Sequence, residues 1–172
     1  MKAFRRVLLG AICTTAITTP AFAQTDDPNV IIVTAQRRAQ DVQDIPLAVT
    51  AVIPVQLERQ GVVNVQQVNN VSASFSASNA QTASGSVVLR IRGVGTTSNN
   101  IGFESAVGIF IDGAYQSRPG IALSEFVDVE RVEVLRGPQG TLFGRNTSAG
   151  ALNITNKAPD VSAFGGFVNA SY

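Results

Sequence analysis

The most informative stretch of the chain reads ERVEVLRGPQGTLFGRN and spans Glu130–Asn146. Its first part, Arg131–Leu135, alternates in polarity and predicts a β-strand with Val132 and Val134 on one face and Glu133 on the other. Its second part is rich in glycine but lacks the Gly-x4-Gly-Lys-Ser/Thr spacing of a nucleotide P-loop, in which the lysine contacts the terminal phosphates. The stretch therefore predicts a strand and a turn rather than a nucleotide site.

Apolar runs elsewhere in the chain predict further short strands, because β-branched and aromatic residues favour a pleated, half-buried surface. The dipeptide Asp112-Gly113 separates two such runs and predicts a tight hairpin turn. Short helices are predicted over Pro54–Gln60, after a cap at Asn64, and near Leu123–Asp128. The predicted fold class is α+β, a small mixed β-sheet with short helices and long loops. The predicted strands are Val30–Thr34, Leu47–Ile53, a weak strand around Phe75, Val87–Arg92, Val107–Ile111 and Arg131–Leu135.

The composition removes most familiar enzyme classes from consideration. The 172 residues include 13 basic and 12 acidic side chains, a net charge of +1, and no histidine. Without histidine the chain has no Ser-His-Asp or Cys-His nucleophile and no His-ligated metal. It also has no cluster of lysine or arginine residues that would bind nucleic acid. We expect no enzymatic activity, no cofactor, no metal site and no nucleic-acid partner. Four clustered carboxylates are interpreted as a solvated helix end running into a half-exposed strand: Glu125, Asp128, Glu130 and Glu133.

Residues 1–23 have the pattern of a cleaved export signal. Three basic residues precede the mostly apolar run Val7–Ile17, and residues 20–23 offer an A-x-A cleavage site. The apolar run is shorter than the roughly 20 residues that span a bilayer, which disfavours a membrane anchor. The single cysteine, Cys13, lies within the signal. Stability after export is therefore expected to come from packing and hydrogen bonds rather than from disulfides.

Four blocks of the chain resemble, in the same order, the plug domain of TonB-dependent outer-membrane receptors. The Glu130–Asn146 stretch closely matches the family's signature, and the first block looks like its Ton box. The resemblance implies the plug fold, an α+β domain that fills a membrane β-barrel. The four blocks are VIIVTAQRR at Val30–Arg38, LRIRG at Leu89–Gly93, IFIDG at Ile109–Gly113, and Glu130–Asn146 with its continuation AGALNIT at Ala149–Thr155.

The resemblance also implies how the chain is organised. Phe164–Tyr172 alternates between small or apolar and mostly polar residues over the ~9–11 residues of one membrane strand, so a barrel is expected beyond Tyr172. The alternative is an ordinary edge strand. The expected divisions are the signal peptide at 1–23, a flexible arm at 24–44 with the Ton box at 30–38, the plug domain at 45–160, and the start of the first barrel strand at 161–172.

By resemblance, the chain is expected to gate the energy-coupled uptake of a scarce nutrient across the outer membrane. Iron chelates, cobalamin and oligosaccharides are all candidates for that nutrient. The expected partners are the TonB C-terminal domain, the chain's own C-terminal β-barrel, a small nutrient ligand and the outer membrane. A free-standing periplasmic binding module with the plug fold and a non-functional receptor fragment are the alternatives.

The first block is the expected site of energy coupling. A mobile β-branched segment whose backbone groups are unused is able to add a strand to a partner sheet, and the resemblance names that partner as TonB. The alternative is a buried strand of the plug, since apolar runs usually belong to a core. The residues expected to bind TonB are Val30, Ile31, Ile32, Val33 and Thr34.

Three polar loops are expected to contact the nutrient, because the family's outward plug loops do so. Carried over by block order, these loops are residues 80–85, 96–100 and 116–119. Their hydroxyl, amide and guanidinium groups suit neutral or anionic oxygen-rich ligands, and simple solvated turns are the alternative. The residues expected to contact the ligand are Thr96, Asn99, Asn100, Gln116 and Arg118.

Two arginines are expected to hold the plug in its barrel. Arg92 and Arg136 each end a predicted strand directly before a glycine. In the family, the arginines of these blocks pair with glutamates on the barrel wall, and a guanidinium is suited to this because it stays charged and presents a fork of donors. The alternative is simple exposure at strand ends. We expect this chain to contain no acidic partner for both.

Overall fold

The computed structural model describes residues 31–79, 87–96, 104–117, 120, 125–159, 161–162 and 165–166. The predicted signal peptide, Val30 and most of the predicted barrel strand lie outside these residues. None of the helices among these residues has the length and hydropathy that a membrane-spanning helix needs. The strands are β1 Ile32–Val33, β2 Gln40–Asp41, β3 Val49–Val52, β4 Phe75–Asn79, β5 Val87–Ile91, β6 Val107–Ile111, β7 Ala114–Gln116, β8 Val129–Arg136 and β9 Gly150–Asn156; the helices are α1 Pro54–Arg59, the 3-10 helix Val65–Asn70 and α2 Gly140–Phe143.

A mixed five-stranded sheet with the order β3-β8-β9-β6-β7 forms the centre of the fold. Its middle strand β9 runs parallel to β6 and antiparallel to β8, so Leu152 lies between Ile109 and Val134. The strands approach closely at Gly150, where a Cβ atom would lie 2.3 Å from the Leu135 carbonyl oxygen and φ is +150°. This small mixed sheet with short helices confirms the predicted α+β class.

One face of this sheet carries the larger hydrophobic core. The helices α1 and Val65–Asn70 and the antiparallel β4-β5 hairpin pack on it. Burial of apolar surface from these elements supplies the main driving force for the fold. The buried residues include Leu57, Val65, Val68, Phe75, Leu89, Ile91, Ile109, Val132, Val134, Leu152 and Ile154.

The opposite face of the sheet is covered by residues 31–47. Strands β1 and β2 form a small antiparallel pair in this region, separate from the central sheet. Side chains from both sides of this contact are fully or almost fully buried, which makes the N-terminal region part of the packed structure. The second core contains Val33, Ala35, Ile45, Phe110, Leu135 and Ala151, with Val42 and Leu47 partly buried at its margin.

Two local predictions are confirmed. Asp112 and Gly113 form the turn between β6 and β7 with φ angles of +49° and +79°, the left-handed conformation that Asp-Gly turns favour. Asn64 caps the following helix, because its side-chain oxygen accepts a 3.1 Å hydrogen bond from the backbone N–H of Gln67.

The alternation of β8 predicted a half-exposed Glu133, but this residue is fully buried. The physical reason is that residues 31–47 cover the face of the sheet onto which Glu133 points. The charged side chains that follow Thr34 are largely exposed, but the backbone that carries them packs on the sheet. Gln40–Asp41 pairs with Ile32–Val33, and Val42 packs against the second core.

The helix predicted near Leu123–Asp128 is wrong over the part that the structure describes. Glu125 forms an isolated antiparallel bridge with Asn64, and the backbone N–H of Phe126 donates to the carbonyl of Val63 at 2.7 Å.

Strand β9 was not predicted as a separate strand. Its first five residues are all buried, so it lacks the alternation that marks a half-exposed strand.

Candidate functional site

The candidate site is the contact between residues 31–37, here called the N-terminal segment, and the central sheet. The segment turns back after Thr34, whose carbonyl accepts a 2.8 Å hydrogen bond from the N–H of Arg37. Val33 is fully buried, whereas Ile32 keeps 43% of its surface exposed. Alternation of this kind lets one side of a β-branched segment enter a core while its other side faces solvent.

A buried carboxylate receives the segment. Oε1 of Glu133 accepts a 2.7 Å hydrogen bond from the backbone N–H of Thr34 and a 2.9 Å hydrogen bond from Nε of Arg131. Oε2 of Glu133 accepts a 3.0 Å hydrogen bond from Nδ2 of Asn153. A buried carboxylate is tolerated only when charge and hydrogen bonds compensate its lost hydration, and this arrangement supplies both. We call Glu133, Arg131 and Asn153 the carboxylate cluster.

The hydroxyl group of Thr34 completes the cluster. It lies 3.3 Å from Oε1 of Glu133, to which it donates, and it accepts from Nη2 of Arg131 and Nδ2 of Asn153, each at 3.3 Å. One donor and two acceptor positions are the full hydrogen-bonding capacity of a hydroxyl. The hydroxyl of Thr34 therefore uses all of its hydrogen-bonding capacity within the cluster.

Strand register explains why the cluster forms at this point. Glu133 and Asn153 are directly opposite each other on β8 and β9, and Arg131 lies two residues before Glu133 on the same face of β8. The guanidinium of Arg131 also pairs with the more exposed Glu130. The positive charge of Arg131 is thus shared between one buried and one exposed carboxylate.

An open cleft of about 440 Å³ lies beside the cluster. The guanidinium of Arg37 lies at its edge, 5.6 Å from the centre of the Phe143 ring, in cation–π geometry. This contact attaches the end of the N-terminal segment to α2. The cleft is lined by Thr34, Arg37, Asp112, Gly113, Arg131, Phe143, Asn153 and Thr155.

The residues expected to contact the nutrient are only partly within the described structure. Thr96 follows β5, and Gln116 ends β7, where its side-chain amide donates to the Ala114 carbonyl at 3.2 Å. No hydrogen bond joins Thr96 to Gln116 within the described residues. Three of the expected contacts lie outside those residues: Asn99, Asn100 and Arg118.

Arg92 and Arg136 lie at strand ends, as the sequence predicts. Arg92 is exposed with φ of +53°, and its backbone N–H donates to the Ser74 carbonyl at 2.7 Å. Arg136 is half-buried, and its Nε donates to the Ala48 carbonyl at 3.3 Å. Among the residues that the structure describes, neither the Arg92 nor the Arg136 guanidinium forms a salt bridge. Their pairing with barrel glutamates stays a prediction.

The comparison with protein-family models decides the family. Residues 41–151 match the model described as the TonB-dependent receptor plug domain. The chain belongs to the TonB-dependent receptor plug domain family. The match includes the second and third blocks and the fourth as far as Ala151. It begins after the predicted Ton box, whose role in binding TonB therefore stays a prediction.

Curated relatives of this plug domain are receptors by name. The chain is 26% identical over 152 residues to the pesticin receptor of Yersinia pestis, covering 88% of the chain and 22% of that receptor. It is 27% identical over 125 residues to the catecholate siderophore receptor Fiu of Escherichia coli K12, covering 70% of the chain and 15% of that receptor. The chain thus spans about a fifth or less of the length of these relatives.

Solved structures agree on the plug fold. The ferric yersiniabactin uptake receptor FyuA of Yersinia pestis aligns with a TM-score of 0.59 at 30% identity, over 66% of this chain and 17% of that receptor. The ferripyoverdine receptor of the Pseudomonas aeruginosa outer membrane aligns with a TM-score of 0.61 at 21% identity, over 79% of this chain and 18% of that receptor. The second likeness supports the fold alone.

Sequence reasoning missed the carboxylate cluster of this plug domain. A signal was present, because Glu133 and Asn153 are polar residues flanked on both sides by apolar ones, Val132 and Val134 or Leu152 and Ile154. A polar residue within an otherwise buried strand needs a partner, and the two strands lie next to each other.

Within the described residues no group of three or more metal-ligating side chains exists.

Proposed function

We propose that this chain is the N-terminal gate of a TonB-coupled outer-membrane receptor for an iron chelate of the siderophore class. The family match to the plug domain is the observation that carries the proposal. The iron-chelate class is supported by the names of the relatives, which include a catecholate siderophore receptor and a ferric yersiniabactin uptake receptor. The chain acts as a binding and gating module, not as an enzyme.

Energy coupling is proposed to enter through Val30–Thr34. Strand addition requires an extended segment whose main chain pairs with a sheet edge, and Ile32–Val33 already has a strand conformation. Its only partner strand among the described residues is the two-residue β2, so little backbone pairing has to be broken before another strand pairs with it. TonB is proposed to pair with the segment after it leaves the sheet.

The nutrient is proposed to contact the loops that carry Thr96, Asn99, Asn100, Gln116 and Arg118. Hydroxyl and amide groups donate to and accept from the oxygen atoms of a chelate, and a guanidinium adds attraction for a negative one. Arg92 and Arg136 are proposed to pair with carboxylates of the barrel wall. The lack of a salt bridge to either within the described part of the chain supports this, since a guanidinium inside a barrel needs a partner.

Uptake by the complete receptor tests the proposal. The chain is kept in its natural gene, and accumulation of iron supplied as different ferric siderophores is measured in cells with and without the receptor, and with and without TonB. We expect uptake of at least one siderophore to require both proteins. Uptake that is unchanged when the receptor gene is deleted contradicts the proposed transport. An in-frame stop directly after Tyr172 would instead favour a free-standing module or a gene fragment.

A further inference from the structure

We infer that the carboxylate cluster is a latch that sets how often the N-terminal segment leaves the sheet. The latch is the fully buried Glu133 with its partners Arg131 and Asn153, and the group it holds is Thr34. The inference that the cluster holds the segment is argued from these hydrogen bonds alone, whereas the effect of the latch on TonB binding rests on the proposed function.

Burial of Glu133 and docking of the segment depend on each other. The carboxylate receives a backbone N–H and a hydroxyl from Thr34, so both hydrogen bonds are lost when the segment leaves. The carboxylate then remains beside β9 with Arg131 and Asn153 as its donors. Release of the segment uncovers the carboxylate, and water then replaces the two hydrogen bonds from Thr34. Because hydrogen bonds to a charged group stabilise a structure even after this exchange with water, the cluster favours the docked segment.

The docked segment is not free to pair with another strand. The N–H of Thr34 already donates to Glu133, and the carbonyl of Ile31 already accepts from the N–H of Val42 at 3.0 Å. A partner that adds a strand to residues 30–34 needs these same backbone groups. It therefore binds only the released fraction, and its apparent affinity is lowered by that fraction.

The chain offers a closely matched pair of variants to test the latch. Glu133→Gln keeps the size of the side chain but removes the charge that holds Thr34. Glu130→Gln removes a carboxylate from the same Arg131, yet no hydrogen bond joins Glu130 to Thr34 among the described residues. A difference between the two variants therefore reports the contact with Thr34 and not the charge balance of Arg131.

The measurement is the mobility of a nitroxide label on the segment in the complete receptor. Ile32→Cys provides the attachment point, because Ile32 is partly exposed and the one cysteine among these 172 residues, Cys13, lies in the predicted signal peptide; any cysteine elsewhere in the receptor is replaced by serine. We expect the ratio of released to docked segment to rise about tenfold in Glu133→Gln, as the loss of charge-assisted hydrogen bonds predicts. Glu130→Gln is expected to match the wild type.

A second pair of variants keeps the test decisive if the receptor that carries Glu133→Gln does not fold. Thr34→Val keeps the shape of the side chain and leaves β8 unchanged but removes the hydroxyl, whereas Thr34→Ser keeps the hydroxyl. Mobility raised in Glu133→Gln or Thr34→Val, but not in Glu130→Gln or Thr34→Ser, supports the latch. Mobility equal to that of the wild type in both Glu133→Gln and Thr34→Val overturns it, as does an equal rise in Glu130→Gln.

Binding of the isolated TonB C-terminal domain to the same position 133, 130 and 34 variants, with Ile32 retained and no label attached, separates the latch from the proposed function. If the latch sets access, Glu133→Gln binds TonB about tenfold more tightly than the wild type. If mobility rises but TonB affinity does not, the latch stands and the assignment of residues 30–34 as the TonB site fails.

Discussion

The backbone N–H of Thr34 donates a 2.7 Å hydrogen bond to Oε1 of Glu133, a residue 99 positions further along the chain. This single contact joins the predicted Ton box to the middle of the central sheet. It also changes how the N-terminal region is understood, because the region covers one face of the sheet and Val33 is fully buried in the second core.

Truncation of the buried side of the segment is expected to loosen it. Val33→Ala removes two methyl groups from the second core and should cost about 1–2 kcal/mol of docking free energy. Hydrogen exchange at the amides of residues 31–35 in the complete receptor should therefore become roughly tenfold faster. Ile32→Ala, on the exposed side, is the control and should change exchange much less. Equal acceleration by the two variants would mean that burial of Val33 does not hold the segment.

Removal of the predicted ligand contacts is expected to weaken uptake. The triple alanine variant of Asn99, Gln116 and Arg118 loses two amides and a guanidinium that are proposed to face the chelate. The apparent substrate affinity in transport should fall at least tenfold, at about 1–1.5 kcal/mol for each hydrogen bond lost. A triple alanine variant of Glu58, Arg59 and Gln60, all exposed around the end of α1, is the control. If both variants take up substrate with wild-type affinity, these loops are not the site.

The two strand-end arginines are expected to stabilise the plug within its barrel. Arg92→Ala or Arg136→Ala should each cost ~3–5 kcal/mol if the partner is a buried carboxylate that is left unpaired. The measurement is the urea concentration at which a fluorophore on the plug reports unfolding within the complete receptor. Arg145→Ala is the control, because its pair with Glu104 is exposed and should contribute about 0–1 kcal/mol. Similar midpoints for all three variants would exclude buried pairing.

The features that local chemistry controls were accessible from the sequence. The Asp112-Gly113 turn and the Asn64 cap follow from residue types that favour one backbone conformation or one hydrogen bond. The burial of Glu133 was not accessible in this way, because alternation along β8 does not reveal what covers each face. The covering residues precede Glu133 by about a hundred positions, and only the folded chain brings them together.

The candidate site was likewise only partly predictable from the sequence. The β-branched run that ends at Thr34 is visible in the sequence, but its docking partner depends on the register of β8 against β9, which places Glu133 opposite Asn153. Register is set by the whole sheet rather than by neighbouring residues. Sequence reasoning therefore found the segment but missed the cluster that holds it.

Binding of the TonB C-terminal domain to the complete receptor carrying Ile32→Pro tests the central claim most directly. Proline removes a backbone donor and fixes φ, so strand addition at this position is blocked. The same change also disturbs β1, which by itself would release the segment and favour binding. Ile32→Thr, which keeps a β-branched residue, is the control. The account predicts at least tenfold weaker binding for Ile32→Pro and near wild-type binding for Ile32→Thr; equal or tighter binding of TonB to Ile32→Pro would contradict it.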